Sequence, residues 1–389
     1  MSRLSHVARC FGILRRVCIF ASISANADVL VTLGRGDAEQ RECSPFKVKC
    51  EWSPFYKQLS MKSLFYLSTC FLFLLSACRS GSNGRSTLLP NITGKPGQIL
   101  VVAPVQIKDT PLADSLRAVL GAEYPMIPQH EPAFDLTFIP ESAFDRVLQP
   151  FRNILFIRTS PDSAQSSLRL ATDKWAAPQS VAYLSGPNID SLAAWVGAHA
   201  YTLYQTFTEA EQKRLMEGYR KVHNAELSSL VAKRFGVRMD IPSGFATRVD
   251  KPDFCWLSLE TKDISQGIFV YEWGNFGSPF APDTLVAHQN YYTHRDVPGP
   301  SPNSYMQVAE VIPPEVQALR FGGDTLVRMR GLWDVRGHAM GGAFVSYSHL
   351  SADGLRVITT VGYIYAPRFK KREYMRQLEA VLLEQVGED

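Results

Sequence analysis

The chain has 389 residues, 46% of them hydrophobic, with 41 basic and 37 acidic side chains and a net charge of +4. The excess is local: residues 1–78 hold ten Lys and Arg against five Asp and Glu, and the remainder carries 31 against 32. A near-neutral body has no general electrostatic claim on nucleic acid, which excludes nucleic acid as an expected partner.

Residues 1–60 are rich in Cys and Arg, lack a clean period and precede a plausible start at Met61. They read as a non-native upstream extension, or as a segment discarded with the signal that follows. Residues 61–77 open on Met61-Lys62-Ser63, continue as an apolar run from Leu64 to Leu75, and end on Ser76-Ala77 before Cys78. A basic start, a short apolar core and small residues before a cleavage point make a secretory signal. The cysteine directly after makes it the lipoprotein version, with cleavage before Cys78 and a lipid on Cys78. At twelve residues the run is too short to span a bilayer, which needs about 20. Of the seven cysteines, Cys10, Cys18, Cys43, Cys50, Cys70 and Cys78 lie at or before this point. Cys255 is then the only thiol left in the mature chain, and no intramolecular disulfide is expected.

Residues 78–97 are a lipidated cysteine and a tether rich in Gly, Ser and Pro. Ile99-Leu100-Val101-Val102-Ala103 is a continuous apolar run, as in a strand buried on both faces. Thr110 offers an N-cap and Pro111 a first helical position, with Leu112, Leu116, Val119 and Leu120 on one face. A strand at 134–139, a helix at 142–151 with Phe144, Val147 and Leu148 inward, and strands at 153–158 and 180–184 complete an α/β layer. No glycine fingerprint marks its strand-to-helix turns. Residues 189–235 read as helix broken once, at a capping box Thr208-x-x-Glu211, with Leu215, Tyr219, Val222, Leu227 and Leu230 along one stripe and Gly236 as the stop. From Val237 the texture changes to strands: 254–259, 267–273, 326–335, 343–350 and 356–366, the last two joined by a turn at Ser351-Ala352-Asp353-Gly354. A final helix over 371–386 buries Met375, Leu378, Val381 and Leu382. The expected fold is α+β with α/β character: an α/β domain with long helices at 98–236, and an antiparallel sheet covered by helices at 237–389.

Several segments carry a resemblance: Leu89-Pro90-Asn91-Ile92-Thr93-Gly94-Lys95-Pro96-Gly97, Arg152-Asn153, Lys174-Trp175-Ala176-Ala177-Pro178-Gln179, Met340-Gly341-Gly342-Ala343-Phe344-Val345-Ser346 and Gly362-Tyr363-Ile364-Tyr365-Ala366-Pro367. In these the chain resembles an uncharacterised lipoprotein family of the Bacteroidetes, a domain of unknown function, over essentially all of the mature sequence. The resemblance implies a cell-envelope lipoprotein and no particular activity. The second half also looks like the small α/β sandwich of the photosystem oxygen-evolving subunit, a likeness of shape alone.

No G-x-S-x-G elbow, phosphate loop, H-E-x-x-H or paired C-x-x-C is present, and no cofactor is expected. Cys255 shares a strand face with Leu257 and Leu259 and reads as a small core residue. Residues 333–342 read as a loop between two strands, combining Trp333, Arg336, His338 and Met340 with three glycines. These four are the candidate ligand-binding residues, offering stacking, charge and hydrogen bonding in a small space. The competing reading makes Trp333 a core residue and the glycines a bend. His288, Tyr291, Tyr292 and His294 read as an aromatic-rich patch on a long loop, and Arg368, Lys370, Lys371 and Arg372 as a solvated basic cluster opening the last helix.

The expectation is a cell-envelope lipoprotein held to the membrane through Cys78. In the resembled group, acidic residues shortly after the lipidated cysteine signal export to the outside; no such run follows Cys78, so the resemblance implies an outer-membrane protein facing the periplasm. Its role is expected to be a binding or assembly module with an envelope protein as possible partner. A hydrolase acting on envelope glycans or peptides and a structural adaptor are the alternatives.

Overall fold

The computed structural model describes residues 88–321 and 324–384. Cys78, its signal segment and residues 1–60 lie outside the described residues. The first sheet begins with β1 (Gln98–Ala103), buried on both faces as its apolar run requires. Helix α1 (Pro111–Leu120) follows, with Thr110 accepting from the Ala113 amide and Pro111 in the first turn. Leu112, Leu116 and Leu120 are fully buried, each contributing about 1.5–3 kcal/mol. Strands β2 (Asp135–Pro140), β3 (Asn153–Thr159), β4 (Ser167–Thr172) and β5 (Ser180–Gly186) complete a sheet of order β2-β1-β3-β5-β4. Only the edge strand β4 is antiparallel.

The helix expected over 142–151 is absent. A single turn at Glu141–Ala143 is followed by irregular chain between Pro140 and Pro150. Asp145 takes the amides of Val147 and Leu148 with its own carboxylate, which competes with helix formation. Val147, expected inward, is 76% exposed.

Helices α2 (Ile189–Ala198) and α3 (Ala200–Lys221) cover one face of this sheet together with α1. The break falls at His199 and not at Thr208, whose hydroxyl instead donates to Tyr204 O inside α3. A second break at Val222–Asn224 cuts the expected stripe and leaves Val222 exposed. Asn224 then caps α4 (Ala225–Phe235), which ends at Gly236 as expected.

The second sheet comprises β6 (Ala246–Lys251), β7 (Phe254–Glu260), β8 (Ser265–Gly274), β9 (Tyr305–Val308), β10 (Glu315–Phe321), β11 (Asp324–Arg336), β12 (His338–Leu350) and β13 (Arg356–Tyr365). Its order is β10-β11-β12-β13-β8-β7-β6, with β9 also paired to β11, and every pairing is antiparallel. Between β8 and β9 lies α5 (Pro282–Asp296), where a loop was expected. Leu285 and Tyr292 bury on the sheet, His288 stacks on Trp273 and His294 on Tyr305, so the aromatic residues clamp a helix. Helix α6 (Arg372–Leu383) lies on the opposite face, with Met375, Leu378, Val381 and Leu382 all buried. Both sheets and all six helices belong to one compact unit.

The basic cluster at the start of α6 is only half solvated. Arg368 and Lys370 are exposed, but Lys371 and Arg372 are buried. Glu131 accepts both of their backbone amides, at 2.6 and 3.2 Å, and supplies the negative charge that a helix N-terminus favours. Arg372 Nη2 reaches Asp135 at 2.9 Å. The last helix is thereby tied to the start of β2.

Candidate functional site

Side chains alternate between the two faces of the second sheet. On β11, Leu326 and Leu332 face α6, and Val327, Met329, Trp333 and Val335 face the α5 side. On the α5 side a cleft of about 550 Å³ opens between two connections: the β7–β8 turn and the segment Val297–Pro300 that leads from α5 to β9. Trp256, Trp333, Met340, Tyr363 and Tyr365 line it.

The expected loop at 333–342 is instead the tip of a long β11–β12 hairpin. Gly337, at φ +86°, makes the reversal. Asp334 pairs with Gly341, yet Val335 pairs with His338, so Ala339 and Met340 are extra residues in the ladder. A bulge of this kind re-aims side chains, and Met340 joins the cleft wall. Trp333 lies across β12: a β-carbon on Gly342 would sit 2.0 Å from Ile364 O and 3.0 Å from Trp333 Nε1. Glycine at 342 is therefore what lets the indole approach.

The four expected residues divide. Trp333 and Met340 line the cleft. Arg336 is exposed at the strand end beside Tyr305, and His338 is exposed with its Nδ1 2.9 Å from Ser301 Oγ. Trp333 is also a core residue, only 3% exposed, as the competing reading had it. Its Nε1 has no hydrogen-bond partner among the described residues.

The remaining rings come from Gly362-Tyr363-Ile364-Tyr365 and from Trp256. Residues two apart on a strand share a face, which puts Tyr363 and Tyr365 beside Trp333 at centroid distances of 5.5 and 6.3 Å. Trp256 Nε1 donates to the Tyr363 hydroxyl at 3.2 Å, and burial pushes that phenol up to about 12. The alternation was visible in the sequence. That β13 runs beside the hairpin tip was not, because pairing partners depend on topology. Glu260, Asp263 and Arg368 also line the cleft, from the β7–β8 turn and the start of the approach to α6.

Cys255, fully buried beside Leu257, is the core residue its strand position implied. No group of three or more metal-binding side chains occurs among the described residues, and no helix there is long and apolar enough to cross a membrane.

The cleft lies wholly within a stretch that matches a known family model. Residues 224–383 match a domain of unknown function, DUF4837. Residues 92–220 match a second domain of unknown function, DUF8532. The two matches meet where α3 gives way to α4, and the DUF4837 region holds the whole second sheet with α4, α5 and α6, which pack on it. No curated protein matches the chain. Among solved structures, the human StarD13 (DLC2) lipid transfer and protein localization domain is similar at 11% identity and a TM-score of 0.18, covering 41% of this chain and 94% of that one. Human STARD10 is similar at 10% identity and a TM-score of 0.19, covering 42% and 81%. At such TM-scores the likeness carries no argument.

Proposed function

We propose that the chain is a Bacteroidetes envelope lipoprotein, anchored through Cys78 in the outer membrane and facing the periplasm. Its folded part acts as a binding module for another envelope component. One observation carries the binding reading: the aromatic cleft on the α5 side of the second sheet. Its floor is set by three long paired strands, and rigid strands hold ring faces at fixed separations better than a loop does. Flat, partly apolar partners fit such walls: sugar rings, or the aromatic and proline side chains of a partner protein.

The two parts of the proposal are tested separately. For the anchor, cells are labelled with a fatty-acid probe, and Cys78→Ala should lose the label; unchanged labelling refutes the lipid. For orientation, protease added to whole cells should leave the protein intact. For the cleft, a photoreactive amino acid is placed at Met340 in intact cells, with Val147, exposed in the irregular segment between β2 and β3, as the control position. A discrete adduct at Met340 alone supports the module. Equal or absent adducts at both positions refute it.

A further inference from the structure

The opposite face of the second sheet borders a larger cavity, of about 890 Å³, bounded by β10–β12, by α1 and α3, and by α6. Its floor is ionic. Arg330 donates from Nε and Nη2 to Glu379 Oε1 at 2.9 and 2.5 Å, and Tyr124 donates to Glu379 Oε2 at 3.4 Å. Burial works against the Arg330 charge, but Glu379 outweighs it and keeps the guanidinium protonated. Arg376, the other buried cation there, meets Glu373 at 3.0 Å. Both of these charges are matched.

Arg328 is different. It lies two residues before Arg330 and on the same face of β11. Gln317, Arg328 and Tyr347 are successive cross-strand neighbours, and Arg328 hydrogen-bonds both of the others. Both partners are neutral. Arg328 meets no carboxylate among the described residues. A guanidinium held in place by neutral partners, at the mouth of a cavity, presents its remaining donors to whatever enters. Its planar fork matches the oxygens of a phosphate or carboxylate. Across the cavity, α3 offers Tyr201, 69% exposed, and Tyr204. The wall carboxylates Glu123 and Glu209 disfavour a second negative group.

We infer that this cavity binds a ligand bearing a single oxyanion group, phosphate or carboxylate, on a ring-containing body. Arg328 takes the anion, assisted by the Tyr347 hydroxyl, and the body packs against Tyr201 and Tyr204. The site is separate from the aromatic cleft and does not depend on it.

The probes are phenyl phosphate, benzoate, inorganic phosphate and phenol, titrated calorimetrically into the full-length protein. Phenyl phosphate or benzoate should bind saturably in the millimolar range or tighter, inorganic phosphate about tenfold more weakly, and phenol not at all. Which of the two ring-bearing anions binds better distinguishes phosphate from carboxylate. Arg328→Gln, which breaks no ion pair, should lower affinity by about tenfold or more with an unchanged melting temperature. No saturable binding of either ring-bearing anion overturns the inference, as does unchanged affinity in Arg328→Gln. Inorganic phosphate binding as tightly as phenyl phosphate overturns the ring-bearing body.

Discussion

Arg152 closes on Glu211 through two parallel hydrogen bonds, Nε to Oε1 at 2.9 Å and Nη2 to Oε2 at 2.6 Å. Around the same carboxylate gather Arg214 at 3.2 Å, the Asn153 side-chain amide at 2.7 Å and the Gly97 backbone amide at 3.3 Å. Glu211 is 2% exposed and lies on α3 with Arg214, while its other partners come from the entries to β1 and β3. The segments ending in Gly97 and at Arg152-Asn153, two of those that carry the family resemblance, therefore meet in one buried ionic knot. Their role there is structural.

Glu211→Gln leaves Arg152 and Arg214 buried without a counter-charge. Breaking a buried pair in this way should destabilise the protein by about 3–5 kcal/mol, measured by chemical denaturation. Burial by itself would raise the Glu211 pKa, but Arg152, Arg214 and Asn153 together hold the carboxyl below its ordinary value of 4.5. A carboxyl depressed in the folded state stabilises fully above its unfolded value. That stabilisation is lost as pH falls through the folded value. Wild-type stability should therefore drop as pH falls below about 4.5, and Glu211→Gln should flatten that part of the profile.

Gly342→Ala places a β-carbon against Ile364 O in the neighbouring strand and against the Trp333 ring. Backbone cannot yield as a flexible side chain does. A loss of about 1–3 kcal/mol is expected, with a change in tryptophan fluorescence as Trp333 shifts. Wild-type stability and fluorescence in the variant would show that the indole does not need the close approach.

Glu131→Ala removes the acceptor for two amides at the start of α6. The expected loss is about 1–3 kcal/mol. Glu131→Asp, one methylene shorter, should recover only part of it. Melting temperatures of the two variants check the order.

Cys255 has no exposure, and burial pushes its thiol up to about 11. Iodoacetamide at pH 8 should leave the peptide containing Cys255 unmodified in the folded protein and alkylate it in denaturant, as read by mass spectrometry. Rapid alkylation of the native protein would mean that β7 opens locally.

Much of the fold was legible because local chemistry decides it. The Thr110-Pro111 start of α1, the apolar run of β1, the alternation in β7, β8 and β11–β13, and the stop at Gly236 each stand on a few neighbouring residues. The errors fall where distant contacts override local preference. Residues 282–296, with two Tyr and two His, have little helical pattern, and α5 forms because Leu285 and Tyr292 find the sheet. Lys371 and Arg372 look like surface charges until Glu131 and Asp135, some 240 positions earlier, come to meet them. The cleft was half visible: Trp333 and Met340 were singled out, but only strand order could add Tyr363, Tyr365 and Trp256.

The attachment of α6 to the first sheet also sets an order of events in time. The Glu131–Lys371 bond joins residues 240 apart, and Asp135 at the head of β2 waits for Arg372. Bringing such distant segments together is slow, because the intervening chain loses freedom before any contact rewards it. While the chain is being made, the amino-terminal sheet stands without its clasp. A chain interrupted anywhere before residue 371 leaves Glu131 with no helix to cap. Closing this clasp is consequently a late step in folding, one that needs the chain through Arg372.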